Sequence, residues 1–152
     1  MLTWLKELPP TKRDKAVENI LNKYGEAKSG IEMLSPSDLK KLARSNCVTI
    51  GSHTHGHELL NKIESHKIVE TLRAANEHLA KILGCVPRHF AYPNGNFNKS
   101  VVEHVRKMGY KTAVTTQHGH WTRKVDLLQI PRIGVGRFDT KFLFKAVLSG
   151  FL

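Results

Sequence analysis

Three histidines, His53, His55 and His57, fall within five residues, in Gly51-Ser52-His53-Thr54-His55-Gly56-His57, directly after the apolar run Val48-Thr49-Ile50. Imidazole is the commonest neutral metal ligand, and a cluster this tight at a strand exit points to a bound cation. His53 and His57 are four apart, so one helical turn would set both rings on one face, close enough to share a metal. Imidazole suits zinc, cobalt, nickel or iron, so residue type alone leaves the ion open. The expected cofactor is a divalent metal, zinc ahead of cobalt or nickel. A metal raised on strand and loop ends activates water or polarises a carbonyl. The competing reading is an exposed polar turn in a chain that carries nine histidines.

The elements that must position these residues follow from periodicity and caps. Thr11 to Tyr24 reads as an amphipathic helix, with Thr11 as cap, Asp14 completing a capping box, and Val17, Ile20, Leu21 and Tyr24 on one face. Ser35, Pro36 and Asp38 form a second start signal, with Leu34 and Leu39 as hydrophobic staple, for a helix to about Arg44. Cys47 to Ile50 then reads as a short buried strand. Ser65 to Leu83 is the longest helix, with Ile68, Leu72, Ala75, Leu79 and Ile82 as its stripe and Gly84 as its stop. His78 lies near that stripe as a boundary residue. His89 to Tyr92 is a strand ending in the turn Pro93-Asn94-Gly95. Asn98 caps a helix through Met108. Lys111 to Thr116 and Gln129 to Val135 are strands, and Phe138 to Leu148 is a last helix.

Strands that alternate with helices predict an α/β domain with a parallel sheet, whose strand carboxyl ends carry function. The histidine cluster, the 92–95 turn and the 115–120 loop all fall at that rim. The 152 residues are expected to form one domain, burying roughly two thirds of the unfolded surface. No apolar run is long enough to span a bilayer, and Met1 to Leu8 is too short and too charged for a signal core. The chain as written is therefore expected to be cytoplasmic, while a longer form could be exported. Cys47 and Cys85 border apolar runs and read as buried thiols. The net charge of +11 favours anionic partners, but Lys and Arg are scattered along the chain, so no specific nucleic-acid partner is expected.

Ile50-Gly51-Ser52-His53-Thr54-His55-Gly56-His57-Glu58-Leu59-Leu60 resembles the second motif of the polysaccharide deacetylases, the NodB-type carbohydrate esterases. Phe90-Ala91-Tyr92-Pro93-Asn94-Gly95 resembles their third motif. Ala113-Val114-Thr115-Thr116 followed by Leu128-Gln129-Ile130-Pro131-Arg132-Ile133 is similar to the closing segment of one branch. The resemblance covers about residues 34–135. It implies a partial, distorted (β/α) barrel and a metal-dependent hydrolase that removes N- or O-acetyl groups from an acetylated polysaccharide or oligosaccharide. Carried over by position, His53 and His57 are the metal ligands, Thr54 braces the loop and His55 holds a variable place. The backbone N–H of Asn94 becomes an oxyanion donor, a kind of interaction worth roughly 2.7–4 kcal/mol of barrier. Tyr92 and Arg132 join the catalytic set. Tyr92, Pro93 and Gly95 join the sugar-contacting set, with Trp121 as a polar-flanked rim residue.

The chain also departs from the pattern. The family's first motif, Thr-Phe-Asp-Asp-Gly, which supplies a metal ligand and the base, is absent; the only aspartates are Asp14, Asp38, Asp126 and Asp139. Ala91 stands where many members carry arginine, although Arg88 is nearby. The Leu-x-x-His acid motif is missing, and nothing maps His118 or His120 onto it. The expectation is a single domain over 1–152 that is N-terminally incomplete, weak or inactive alone, and prone to self-association through an exposed sheet edge. Two alternatives compete. One is a non-catalytic carbohydrate-binding remnant with Tyr92, Trp121 and Phe97 as stacking surfaces. The other is a metallo-β-lactamase-like hydrolase, which would make His55 a strong ligand.

Overall fold

Proline, not a side-chain cap, starts helix α1 (Pro10–Tyr24). Its N-cap is Pro9 and no side chain caps it; Asp14, expected in a capping box, instead pairs with Arg13 at 3.2 Å. Proline pre-sets the helical φ and has no N–H to satisfy, so the cap is dispensable there. The structure is a computed structural model that describes residues 4–5, 8–25 and 33–150. Most of the Met1–Leu8 stretch lies outside the described residues.

The second helix, α2 (Pro36–Ala43), keeps the expected capping box between Ser35 and Asp38. The third, α3 (Ser65–Leu83), has the predicted limits, ending on Gly84 in the left-handed conformation. Ile68, Leu72 and Ala75 of its stripe are buried. Strand β1 (His89–Ala91) leads through a turn at Pro93–Gly95 into α4 (Lys99–Lys107), whose first turn is capped by Asn98 accepting from the Val101 N–H at 2.9 Å. Strand β2 (Thr112–Val114) follows, and α5 (Lys141–Leu148) is the last described helix. Among the described residues no helix is long and apolar enough to cross a membrane.

β1 and β2 pair in parallel, with His89 opposite Thr112 and Ala91 opposite Val114. A parallel pair needs a crossover, and α4 supplies it. On either side one residue extends the sheet, Ser52 beside Phe90 and Ile130 beside Val114, both parallel. The strand expected at Cys47–Ile50 is absent, the chain meeting the sheet only at Ser52, and the one expected at Gln129–Val135 is reduced to the single bridge at Ile130. Cys47 lies in a turn, and both Cys47 and Cys85 are exposed, which corrects the buried reading.

The sheet is covered on one face. Phe90, Ala113 and Tyr92 pack with Leu72, Val101 and Val105 into the core. Alternate residues face the other way (period two), so Gly51, His53, His89, Ala91, Thr112 and Val114 line an open hollow of ≈ 500 Å³.

Candidate metal centre

His53 leaves the sheet one residue after the Ser52 bridge. Its Nδ1 lies 2.7 Å from the Ala91 carbonyl oxygen. A carbonyl only accepts, so Nδ1 carries the proton and Nε2 keeps its lone pair for a ligand. The His57 ring stands with its centroid 4.9 Å from that of His53, at 74°. Two nitrogens bound tetrahedrally at 2.0–2.1 Å stand roughly 3.3 Å apart, which this separation accommodates.

The pair is not brought together by a helical turn, as the spacing suggested. The segment is a loop, and both Thr54 (φ 63°) and His57 (φ 59°) take the left-handed conformation. A non-glycine residue held there costs roughly 1–2 kcal/mol, so the surroundings must fix it. Thr71 and Arg13, outside the motif, and Glu58, within it, do so. Thr71, buried on α3, donates to Glu58 Oε2 at 2.7 Å and accepts the His55 N–H at 3.1 Å. Glu58 also accepts the Gly56 N–H at 3.0 Å, and Arg13 of α1 donates to the Gly56 carbonyl at 3.2 Å. Burial works to raise the Glu58 carboxyl; hydrogen bonds from Thr71 and from backbone N–H groups outweigh it, leaving its pKa below the ordinary value. A threonine between Ile68 and Leu72 on a buried helix face is a signal for such a role, since polar residues there need a partner.

The third-motif residues divide. Asn94 is exposed and sits at φ 55°, turning the chain at the end of β1. Gly95 follows at φ 73° against Thr116. Tyr92 is 1% exposed, stacked on Phe97 at 5.1 Å, and its hydroxyl donates to the Leu128 carbonyl at 2.8 Å. Its ring offers no face to a sugar, so the sugar-contacting assignment of Tyr92 is corrected to core packing. Pro93 is likewise buried. Burial is also the main reason the Tyr92 hydroxyl is pushed well above its ordinary pKa. Arg132 donates through Nε to the Thr115 carbonyl at 2.6 Å, so it fastens the loop after β2. Trp121 is exposed at 54%. His55 has its ring centroid 6.1 Å from His78, away from the pair role.

Among the described residues no group of three His, Cys, Asp or Glu side chains is placed to hold a metal. The described residues thus bring two imidazoles together without a third such side chain beside them.

A model of the polysaccharide deacetylase family matches residues 10–113. The chain belongs to the polysaccharide deacetylase family. Its fold is similar to that of the Streptococcus pyogenes deacetylase PplD in complex with acetate, with TM-score 0.71 and 21% identity, covering 84% of this chain and 54% of that one. It is also similar to a polysaccharide deacetylase from Bacillus cereus, with TM-score 0.70 and 26% identity, covering 90% of this chain and 48% of that one. The uncharacterized protein YlxY of Bacillus subtilis (strain 168) is 34% identical over 64 residues, 42% of this chain and 20% of that protein. The chain thus spans about half the length of these solved structures. Family membership sets aside the metallo-β-lactamase-like alternative. The partial, distorted barrel expected of a NodB-type deacetylase is the fold observed.

Proposed function

We propose that this polysaccharide deacetylase domain carries the histidine half of a metal centre that hydrolyses N- or O-acetyl groups on a polysaccharide or oligosaccharide. The observation that carries the reading is the His53–His57 pair, 4.9 Å between ring centroids, with the His53 tautomer fixed by Ala91. A divalent ion, zinc or else cobalt or nickel, would supply Lewis acidity to the acetyl carbonyl and lower the pKa of a water. His53 and His57 would hold it through ring nitrogens. The Asn94 backbone, in an exposed residue of left-handed conformation, would donate its N–H to the oxyanion. Gly95 and Trp121 would contact the sugar, and Arg132 would hold the loop after β2 in place. The base is not assigned to any residue of this chain. Self-association through the edge of the short sheet is part of the same proposal.

The test is calorimetric zinc and cobalt binding by the purified chain beside His53→Ala and His57→Ala, followed by acetate release from acetylated amino-sugar oligosaccharides. One site, lost in both variants, is the expected result. Metal binding unchanged in either variant would overturn the assignment. The incomplete donor set favours one second reading, a carbohydrate-binding domain without turnover; it would bind the oligosaccharide with or without metal.

A further inference from the structure

We infer that Thr71, acting through Glu58 thirteen residues before it, is a positioning residue that sets the spacing of His53 and His57 from helix α3. The inference rests on the reading of those histidines as ligands.

The argument starts from strain. Thr54 and His57 lie in the left-handed region at φ 63° and 59°, the second and last residues of the loop that runs from His53 to His57. Relaxation of either toward an ordinary φ would rotate the chain between the two imidazoles and separate them. The loop's own backbone does not favour the left-handed form. Its Gly56 is intrinsically free to move, and the loop lies outside any helix or strand. The restraint comes from α3. Thr71 is 8% exposed and rigidly carried, four residues before Ala75 and between Ile68 and Leu72 of the buried stripe. Its one hydroxyl serves both sides of the loop. It accepts the N–H of His55 at 3.1 Å and donates its own proton to Glu58 Oε2 at 2.7 Å. Glu58 then returns to the loop by accepting the Gly56 N–H at 3.0 Å. The ring Thr71–His55–Gly56–Glu58 closes behind the histidines and fixes the backbone on which His57 is mounted. Arg13 adds a tie from α1 to the Gly56 carbonyl at 3.2 Å. Through this ring a hydroxyl and a carboxylate hold the backbone that carries the ligand atoms. Outer partners of this kind are worth roughly 10–100-fold in metal affinity.

The experiment uses the full chain and a probe that needs only two imidazoles: soluble copper(II)–iminodiacetate, whose chelator occupies part of the coordination sphere. Binding is followed by calorimetry for the wild type, His53→Ala, His57→Ala, Thr71→Val, Thr71→Ser and Glu58→Gln, each with its melting temperature. The strongest site should disappear in both histidine variants. It should weaken about 10–100-fold in Thr71→Val and Glu58→Gln, and return in Thr71→Ser. Wild-type affinity in a folded Thr71→Val would overturn the inference. So would a wild-type chain whose strongest site survives His53→Ala, or one with no such site. Should Thr71→Val fail to fold, the half-buried Glu58→Gln decides by the same criterion. The proposed function fails separately. If the copper probe binds the pair and responds to Thr71 while zinc and cobalt do not bind, the positioning role stands and the metal-hydrolase reading falls.

Discussion

Gly95→Ala tests how firmly the turn after β1 is held. The residue sits at φ 73°, and a Cβ built there would meet the Thr116 side chain at 1.9 Å (Oγ1), 2.7 Å (Cβ) and 2.8 Å (Cγ2). Two costs therefore add. The left-handed conformation costs an L-residue roughly 1–2 kcal/mol. Forcing a methyl against packed atoms costs roughly 1–3 kcal/mol, depending on how far Thr116 can shift. The sum, roughly 2–5 kcal/mol, is a large share of the 5–15 kcal/mol typical of a domain. Urea unfolding followed by circular dichroism reads the total. Thr116→Gly in the Gly95→Ala background removes all three obstructing atoms. It should recover the packing part and leave the conformational part, a coupling that a double-mutant cycle isolates. The same variant should displace Asn94, the proposed oxyanion donor, and lower any acetate release. A Gly95→Ala chain within about 0.5 kcal/mol of wild type would refute the reasoning, because at that position neither cost can be avoided without moving the turn.

Two further outcomes are expected. Burial raises the phenols of both Tyr92 and Tyr110 above their ordinary pKa, so the folded chain keeps them protonated after the unfolded chain has begun to ionise. Stability is then fully present below about pH 10 and falls above it. Urea midpoints from about pH 8 to pH 11 should show that decline, with a shallower slope in Tyr92→Phe; a flat profile would contradict the burial of these hydroxyls. Both cysteines are exposed, so a thiol reagent should modify Cys47 and Cys85 in the native chain without denaturant. Modification that requires unfolding would restore the buried-thiol expectation.

Much of the local structure was legible in the sequence, because caps, stops and helical stripes act over a few residues. The Ser35–Asp38 box, the Ser65–Leu83 helix with its glycine stop, and the Asn98 cap all stand where residue type puts them. The histidine cluster and the Tyr92–Gly95 turn were legible as motifs for the same reason. Strand length was not. Whether residues near 50 and 130 become strands depends on how far they run alongside a partner, and here each pairs through a single residue. Burial was not legible either. Tyr92 has the composition of a sugar-stacking residue, but Phe97 covers its ring and Leu128 takes its hydroxyl.

Sequence by itself determined the family and the pair of imidazoles, since a motif is a statement about residue types and short spacings. Tertiary structure decided how that pair is held. The four-residue spacing suggested a helical turn, and the chain instead uses two left-handed residues, a form that sequence does not mark in Thr54 or His57. What stabilises that form is a hydroxyl on a distant helix and a carboxylate that lies behind the loop. Hydrogen bonds between residues thirteen or more apart exist only once the helix has packed, so only the folded chain could show them.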